Sequence, residues 1–69
     1  MAEKVEVGQL RQMYDENLVT RDIRGSRLLV LRIDPDFNEP PYFWICLMDT
    51  GKERVFSDST LRMHSEVIG

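Results

Sequence analysis

Leu28-Leu29-Val30-Leu31-Arg32-Ile33-Asp34-Pro35, followed after a short loop by Tyr42-Phe43-Trp44-Ile45-Cys46-Leu47-Met48-Asp49-Thr50-Gly51, is the stretch that decides the fold of this chain. The first run is apolar and β-branched and stops at Asp34-Pro35, because proline has no N–H to donate to a continuing ladder. The second run is too short to span a bilayer and is rich in the aromatic and branched residues that favour strands. Asp49-Thr50-Gly51-Lys52 then reads as a tight hairpin turn, with Gly51 free to take the left-handed conformation. Glu53 to Ser57 follows as the outgoing strand, which makes Leu28 to Ser57 a three-stranded antiparallel meander.

On either side of the meander the signals are weaker. Gln9 to Tyr14 reads as a first strand, since Val7-Gly8-Gln9-Leu10-Arg11 shows no helical periodicity. Asp15 to Ser26, rich in Asp, Asn, Thr and Arg with Gly25 near its end, reads as a long excursion returning to the sheet; a short helical turn within Asn17 to Arg24 competes with it. Pro40-Pro41 stiffens the exit of the loop before Tyr42 toward extended geometry. Ser57-Asp58-Ser59-Thr60 offers several oxygens to cap one helical or 3₁₀ turn through Leu61 and Met63. Ser65 to Ile68 closes the chain as a last strand. The fold expected is all-β: a small SH3-like barrel of about five antiparallel strands, with one short 3₁₀ or helical turn before the last. It forms a single domain over residues 1–69, in which 1–6 reads as a flexible N-terminal arm.

A chain of 69 residues buries roughly 60% of the surface its unfolded state exposes, so a stability of about 3–5 kcal/mol is expected. With 42% hydrophobic and 30% charged residues, the composition is that of an ordinary globular protein rather than a disordered or membrane one. No apolar run approaches the roughly 20 residues that cross a bilayer. Met1-Ala2-Glu3-Lys4 has neither the basic start nor the apolar stretch of a secretory signal, so the cytoplasm is the expected location. Cys46 is the sole cysteine and His64 the sole histidine. A zinc site or a thiol nucleophile with its base would have to be built from this one pair. Cys46 inside an apolar strand reads instead as a buried small hydrophobe whose thiolate is disfavoured, and neither a metal nor another cofactor is expected.

Val7-Gly8-Gln9-Leu10-Arg11, the Leu29-Val30-Leu31-Arg32-Ile33 strand, Trp44 with Leu47-Met48-Asp49-Thr50-Gly51, and Phe56-Ser57 with Leu61 and Ser65-Glu66-Val67-Ile68 resemble a group of small uncharacterised proteins encoded by tailed bacteriophages. The resemblance covers most of the chain. It implies a barrel, a viral origin and hence residence in the host cell cytoplasm, and it brings no catalytic residues with it. The double proline at 40 and 41 and the acidic loop before it depart from that pattern.

Strict alternation along the two central strands places Leu29, Leu31 and Ile33 inside with Phe43, Ile45 and Leu47. Leu28, Val30, Tyr42, Trp44, Cys46 and Met48 then form a second apolar face. A register change of one residue exchanges the faces but leaves two of them. Monomers rarely expose such a patch, so the first loop, a second subunit or another partner should cover it. The first functional reading is therefore a small binding module that binds and modulates a host or viral protein, with Tyr42, Trp44, Leu28 and Val30 as its contact residues. A homodimer is compatible with the same face.

Charge supplies a second reading. The net charge is −3, yet seven of the nine basic residues are arginine. Between Arg21 and Arg32 four arginines meet one acid, Asp22. Arg11, Arg21, Arg24 and Arg32 could grip phosphate while an aromatic stacks on a base, which describes a nucleic-acid or small anionic nucleotide binder. The bland account has these arginines as rim charges paired with Asp15, Glu16, Asp34 and Asp36. Overall acidity argues against nonspecific duplex binding. Catalysis is not expected: Asp34 with Asp36 and Asp58 with Glu66 can be drawn as acid–base pairs, but turn and cap chemistry accounts for them. No phosphate-cradling glycine loop, HExxH, GxSxG or paired-cysteine motif is present.

Overall fold

A computed structural model describes residues 4–14, 25–37 and 39–69. Among the described residues, five strands and one helix follow in the order β1 (Leu10–Met13), β2 (Arg27–Ile33), β3 (Phe43–Met48), β4 (Glu53–Ser57), α1 (Asp58–His64) and β5 (Ser65–Val67). All neighbours are antiparallel, and the strands lie in one open sheet in the order β4-β3-β2-β1-β5. The meander expected between Leu28 and Ser57 is thus β2-β3-β4, and the protein is mostly β. The long excursion or helical turn expected within residues 15–24 lies outside the described residues.

Local chemistry explains the boundaries. The Asp34 carboxylate accepts from the Asp36 backbone N–H at 3.0 Å, and the Asp34 carbonyl accepts from Phe37 N–H at 3.0 Å, so the chain turns immediately after β2. At the β3–β4 turn Gly51 has φ +88° and donates to the Met48 carbonyl at 2.9 Å, a conformation that costs glycine little. Ser57 caps α1, its hydroxyl accepting from Thr60 N–H at 3.2 Å. Asp58 in the first turn and Arg62 and His64 in the last complement the helix dipole. The Pro40–Pro41 peptide is cis.

The core comprises Val5, Met13, Leu28, Val30, Cys46, Met48, Phe56 and Leu61, with Trp44 packed against it. This corrects the expected faces. Leu28 and Val30, each 1% exposed, point inward with Cys46 and Met48, whereas Leu29, Leu31, Phe43 and Ile45 are half-buried and Ile33 and Leu47 are more exposed still. The inward face is the one covered by Val5, Met13 and Leu61, and a bulge in β2 then moves Ile33 onto it. Val30 pairs with Cys46 and Arg32 with Ile45, leaving Leu31 as the extra residue. Strict alternation fails there: Leu28, Val30 and Ile33 share the side of Trp44, Cys46 and Met48, while Leu29 and Arg32 share the side of Leu47 and Ile45.

Of the arm expected over 1–6, residues 1–3 lie outside the described residues, and 4–6 are fastened to the sheet. Val5 is only 2% exposed. It is held there by Gln9, whose side-chain amide donates to the Lys4 carbonyl at 2.8 Å and accepts from Glu6 N–H at 3.1 Å. Gly8 N–H to Val30 O, 2.8 Å, and Val30 N–H to Gln9 O, 2.9 Å, fasten the segment to β2 at the bulge.

Candidate partner-binding cleft

The bulge has a local consequence beyond the core. It aims Ile33 to the same side as Trp44, its partner across the ladder. At that end of the sheet a cleft of about 520 Å³ opens, lined by Lys4, Val5, Ile33, Tyr42, Trp44, Asp58 and Arg62. Its volume lies within the range of small-ligand and peptide-anchor pockets.

Each wall is positioned by a specific interaction. Tyr42 precedes β3, and its carbonyl accepts from Asp58 N–H at 2.9 Å, tying the start of α1 to the mouth of the cleft. The Asp58 carboxylate accepts from Trp44 Nε1–H at 3.0 Å and meets Arg62 Nη1 at 3.7 Å across one helical turn. The indole N–H is therefore satisfied within the chain, and Trp44 offers a visitor its ring surface rather than a donor. Val5 and Ile33 add aliphatic surface. Lys4 and Arg62 are exposed basic groups on the rim, and the Lys4 ammonium has no ion-pair partner among the described residues.

Of the residues singled out from sequence, Tyr42 and Trp44 are brought together here, both half-buried. Leu28 and Val30 are not with them: fully buried, they have no surface to give a partner, and as contact residues they are withdrawn. The arginine set is not assembled either. Arg11 is 1% exposed, with Nε donating to Gln9 Oε1 at 3.0 Å and Nη1 donating to the Leu61 carbonyl at 2.9 Å and to Ser65 Oγ at 3.1 Å. Such a guanidinium is unavailable to phosphate. Arg32 is exposed, but it lies on the side of the sheet away from Trp44 and pairs with Glu53 at 3.5 Å. Arg21 and Arg24 lie outside the described residues.

Sequence reasoning missed Lys4, Val5, Ile33, Asp58 and Arg62. Asp58 and Arg62 did carry a signal, an acid and a base four apart beside a cap. The others carried none, because a bulge and an N-terminal tuck place them. Cys46 behaves as expected of a buried small hydrophobe: it is 0% exposed, and burial pushes its thiol up from 9.0 to about 12, against a smaller lowering by the Arg11 charge. Of the four carboxylates considered for acid–base roles, Asp34, Asp36, Asp58 and Glu66, Asp34 is engaged in a turn and Asp58 in the indole contact.

A second apolar surface survives the exchange of faces. Leu10 opposite Leu29, Leu29 opposite Leu47, and Ile45 opposite Val55 form a continuous aliphatic patch, with Val55 52% exposed. No helix among the described residues is long and apolar enough to cross a membrane. Comparison with known proteins finds no matching family model, no matching curated protein and no matching solved structure.

Proposed function

We propose that this chain is a small non-enzymatic binding module, a phage-encoded SH3-like barrel that binds and modulates a host or viral protein in the host cytoplasm. The observation that carries the reading is the cleft that joins Tyr42, Trp44 and Ile33 beneath a basic rim. Half-buried aromatic side chains held in place by their own fold are the residue types that anchor protein interfaces. The strand order β4-β3-β2-β1-β5, with a short helix before the last strand, supports the barrel. The resemblance of the sequence motifs to small tailed-phage proteins supports the origin. The arginine-based nucleotide reading has no equivalent support, since its residues are buried, paired elsewhere or outside the described part of the chain.

The test is capture of partners from bacterial lysate, with and without nuclease, by the wild type and by Tyr42→Ser. Tyr42 is the better probe because Trp44 packs on the core. A stoichiometric protein that survives nuclease and is lost with Tyr42→Ser, at unchanged circular dichroism and melting temperature, supports the reading. Recovery of nucleic acid or a nucleotide with no enriched protein refutes it.

A further inference from the structure

The cleft shares its end of the molecule with a surface of opposite character. Ile33 and Tyr42, which line the cleft, are also the residues that bracket the β2–β3 loop. That loop carries Asp34, Asp36 and Glu39 and no basic residue. Asp36 and Glu39 are exposed, and neither makes an ion pair with a described residue. Between them stands Phe37, its ring tilted 49° to that of Phe43 with centroids 4.5 Å apart, yet 44% exposed. One end of the sheet therefore carries an acidic, aromatic loop and, on the face of Trp44, an apolar cleft rimmed by Lys4 and Arg62.

A surface that carries both halves of a complementary pair suits a two-fold interface, in which each copy contributes the same patch and both contacts form at once. We propose that the occupant of the cleft, in the free protein, is the β2–β3 loop of a second copy: Phe37 of each chain seats against Tyr42 and Trp44 of the other, with Asp36 and Glu39 facing Lys4 and Arg62. This deepens the functional reading and rests on the cleft being a protein-binding site. Its consequence is that self-association and capture of a partner exclude each other, so partner binding weakens as the protein becomes concentrated. Rim charges of this kind act on selectivity and encounter rate, and their attraction is screened by salt.

Sedimentation equilibrium of the full chain, from micromolar to near-millimolar concentration, tests this with two charge-reversed variants. Lys4→Glu/Arg62→Glu makes cleft and loop both acidic, and Asp36→Lys/Glu39→Lys makes both basic. The wild type should show a monomer–dimer equilibrium that weakens with salt. Each variant alone should dimerise about tenfold more weakly or worse, and an equimolar mixture should recover the dimer, since both crossed contacts are again complementary. Control variants with the same net charges, Arg32→Glu/Lys52→Glu and Glu53→Lys/Glu66→Lys, keep cleft and loop intact, so each alone should dimerise about as well as the wild type. A wild type that stays monomeric throughout, a mixture of folded variants that stays monomeric, or control variants that lose the dimer as fully as the charge-reversed ones overturns the proposal. The two readings separate in the same experiment. A monomeric wild type that still captures a protein through Tyr42 removes the dimer and leaves the binding module, whereas a dimer restored by mixing, with no protein captured by the monomeric Asp36→Lys/Glu39→Lys variant, removes the module and leaves the dimer.

Discussion

Arg11→Met should be among the most destabilising substitutions in this chain that create no large cavity. Arg11 is 1% exposed and joins three parts of the fold: Gln9 before β1, the Leu61 carbonyl in α1 and the Ser65 hydroxyl that opens β5. Methionine fills much of the same space with an unbranched chain, so the loss is chiefly of hydrogen bonds. A net hydrogen bond to a charged group contributes about 1.5–3 kcal/mol. The Leu61 carbonyl and Ser65 hydroxyl lose a donor, and a buried acceptor left unsatisfied costs about 1–3 kcal/mol. The desolvation that Arg11 no longer suffers offsets part of this, leaving an expected loss of about 3 kcal/mol. Against a stability of about 3–5 kcal/mol for so short a chain, that is most of the total. Urea unfolding followed by Trp44 fluorescence and circular dichroism measures it; with an m value near 1 kcal/mol/M, the midpoint falls by about 3 M. A double-mutant cycle with Ser65→Ala should return a coupling of about 0.5–3 kcal/mol, because the two side chains are in direct contact. If Arg11→Met matches or exceeds the wild type in stability, guanidinium desolvation equals its hydrogen bonds and the latch between β1, α1 and β5 is not what holds the helix.

Three smaller perturbations probe the elements that shape the cleft. Ser57→Ala removes the cap of α1 and should cost about 1 kcal/mol in chemical denaturation, with the larger effect on partner binding, since α1 carries Asp58 and Arg62; an unchanged midpoint would show the helix to be held by Leu61 alone. Gly51→Ala meets no atom within 4 Å of the added carbon, so its cost is purely conformational, about 1–2 kcal/mol at a φ of +88°, and Gly51→Asn should be milder because asparagine tolerates the left-handed region. Burial raises the Cys46 thiol from 9.0 to about 12, so the unfolded chain gives up that proton first and stability falls as pH rises from 9 toward 12. Measured as the difference between wild type and Cys46→Ala, this contribution should be flat below pH 9 and shrink above it, and a difference independent of pH would show the thiol to be hydrated in the folded state.

How far the fold was legible follows from what kind of signal fixed each element. β4 and the start of α1 are announced by local chemistry, a glycine turn before one and a hydroxyl cap before the other, and Glu53–Ser57 is found where the sequence places it. β2 and β3 are announced by composition and end within a residue of expectation. Which face they bury is a different matter, since both are apolar on both sides and composition cannot choose. The choice is made by what covers the sheet, Val5, Met13 and Leu61, and the phase of Arg32 and Ile33 by Leu31, one extra residue opposite the Cys46–Ile45 step, where no turn residue, glycine or proline marks a bulge. Val5 in the core was illegible for a related reason: its burial depends on Gln9 turning back to hold Lys4 and Glu6, a contact between residues that look like ordinary surface.

The candidate site divides along the same line. Tyr42 and Trp44 stood out because aromatic residues at the start of a strand are costly to leave in water, whichever way the strand faces. The cations did not, because the sequence gathers arginine between 21 and 32 whereas the fold takes its rim from Lys4 at one end of the chain and Arg62 near the other. Arg11 illustrates why charge counted along a sequence misleads: it becomes the most buried polar group described, because β1 lies between β2 and β5 and the Arg11 side chain reaches inward to the Leu61 carbonyl and the Ser65 hydroxyl. Sequence proximity predicts a shared cationic field only where the backbone between the charges is regular. Here the strand that carries Arg32 shifts phase between Val30 and Arg32, so the side chain that would have faced the cleft points to the opposite side of the sheet, and Ile33 takes the position beside Trp44.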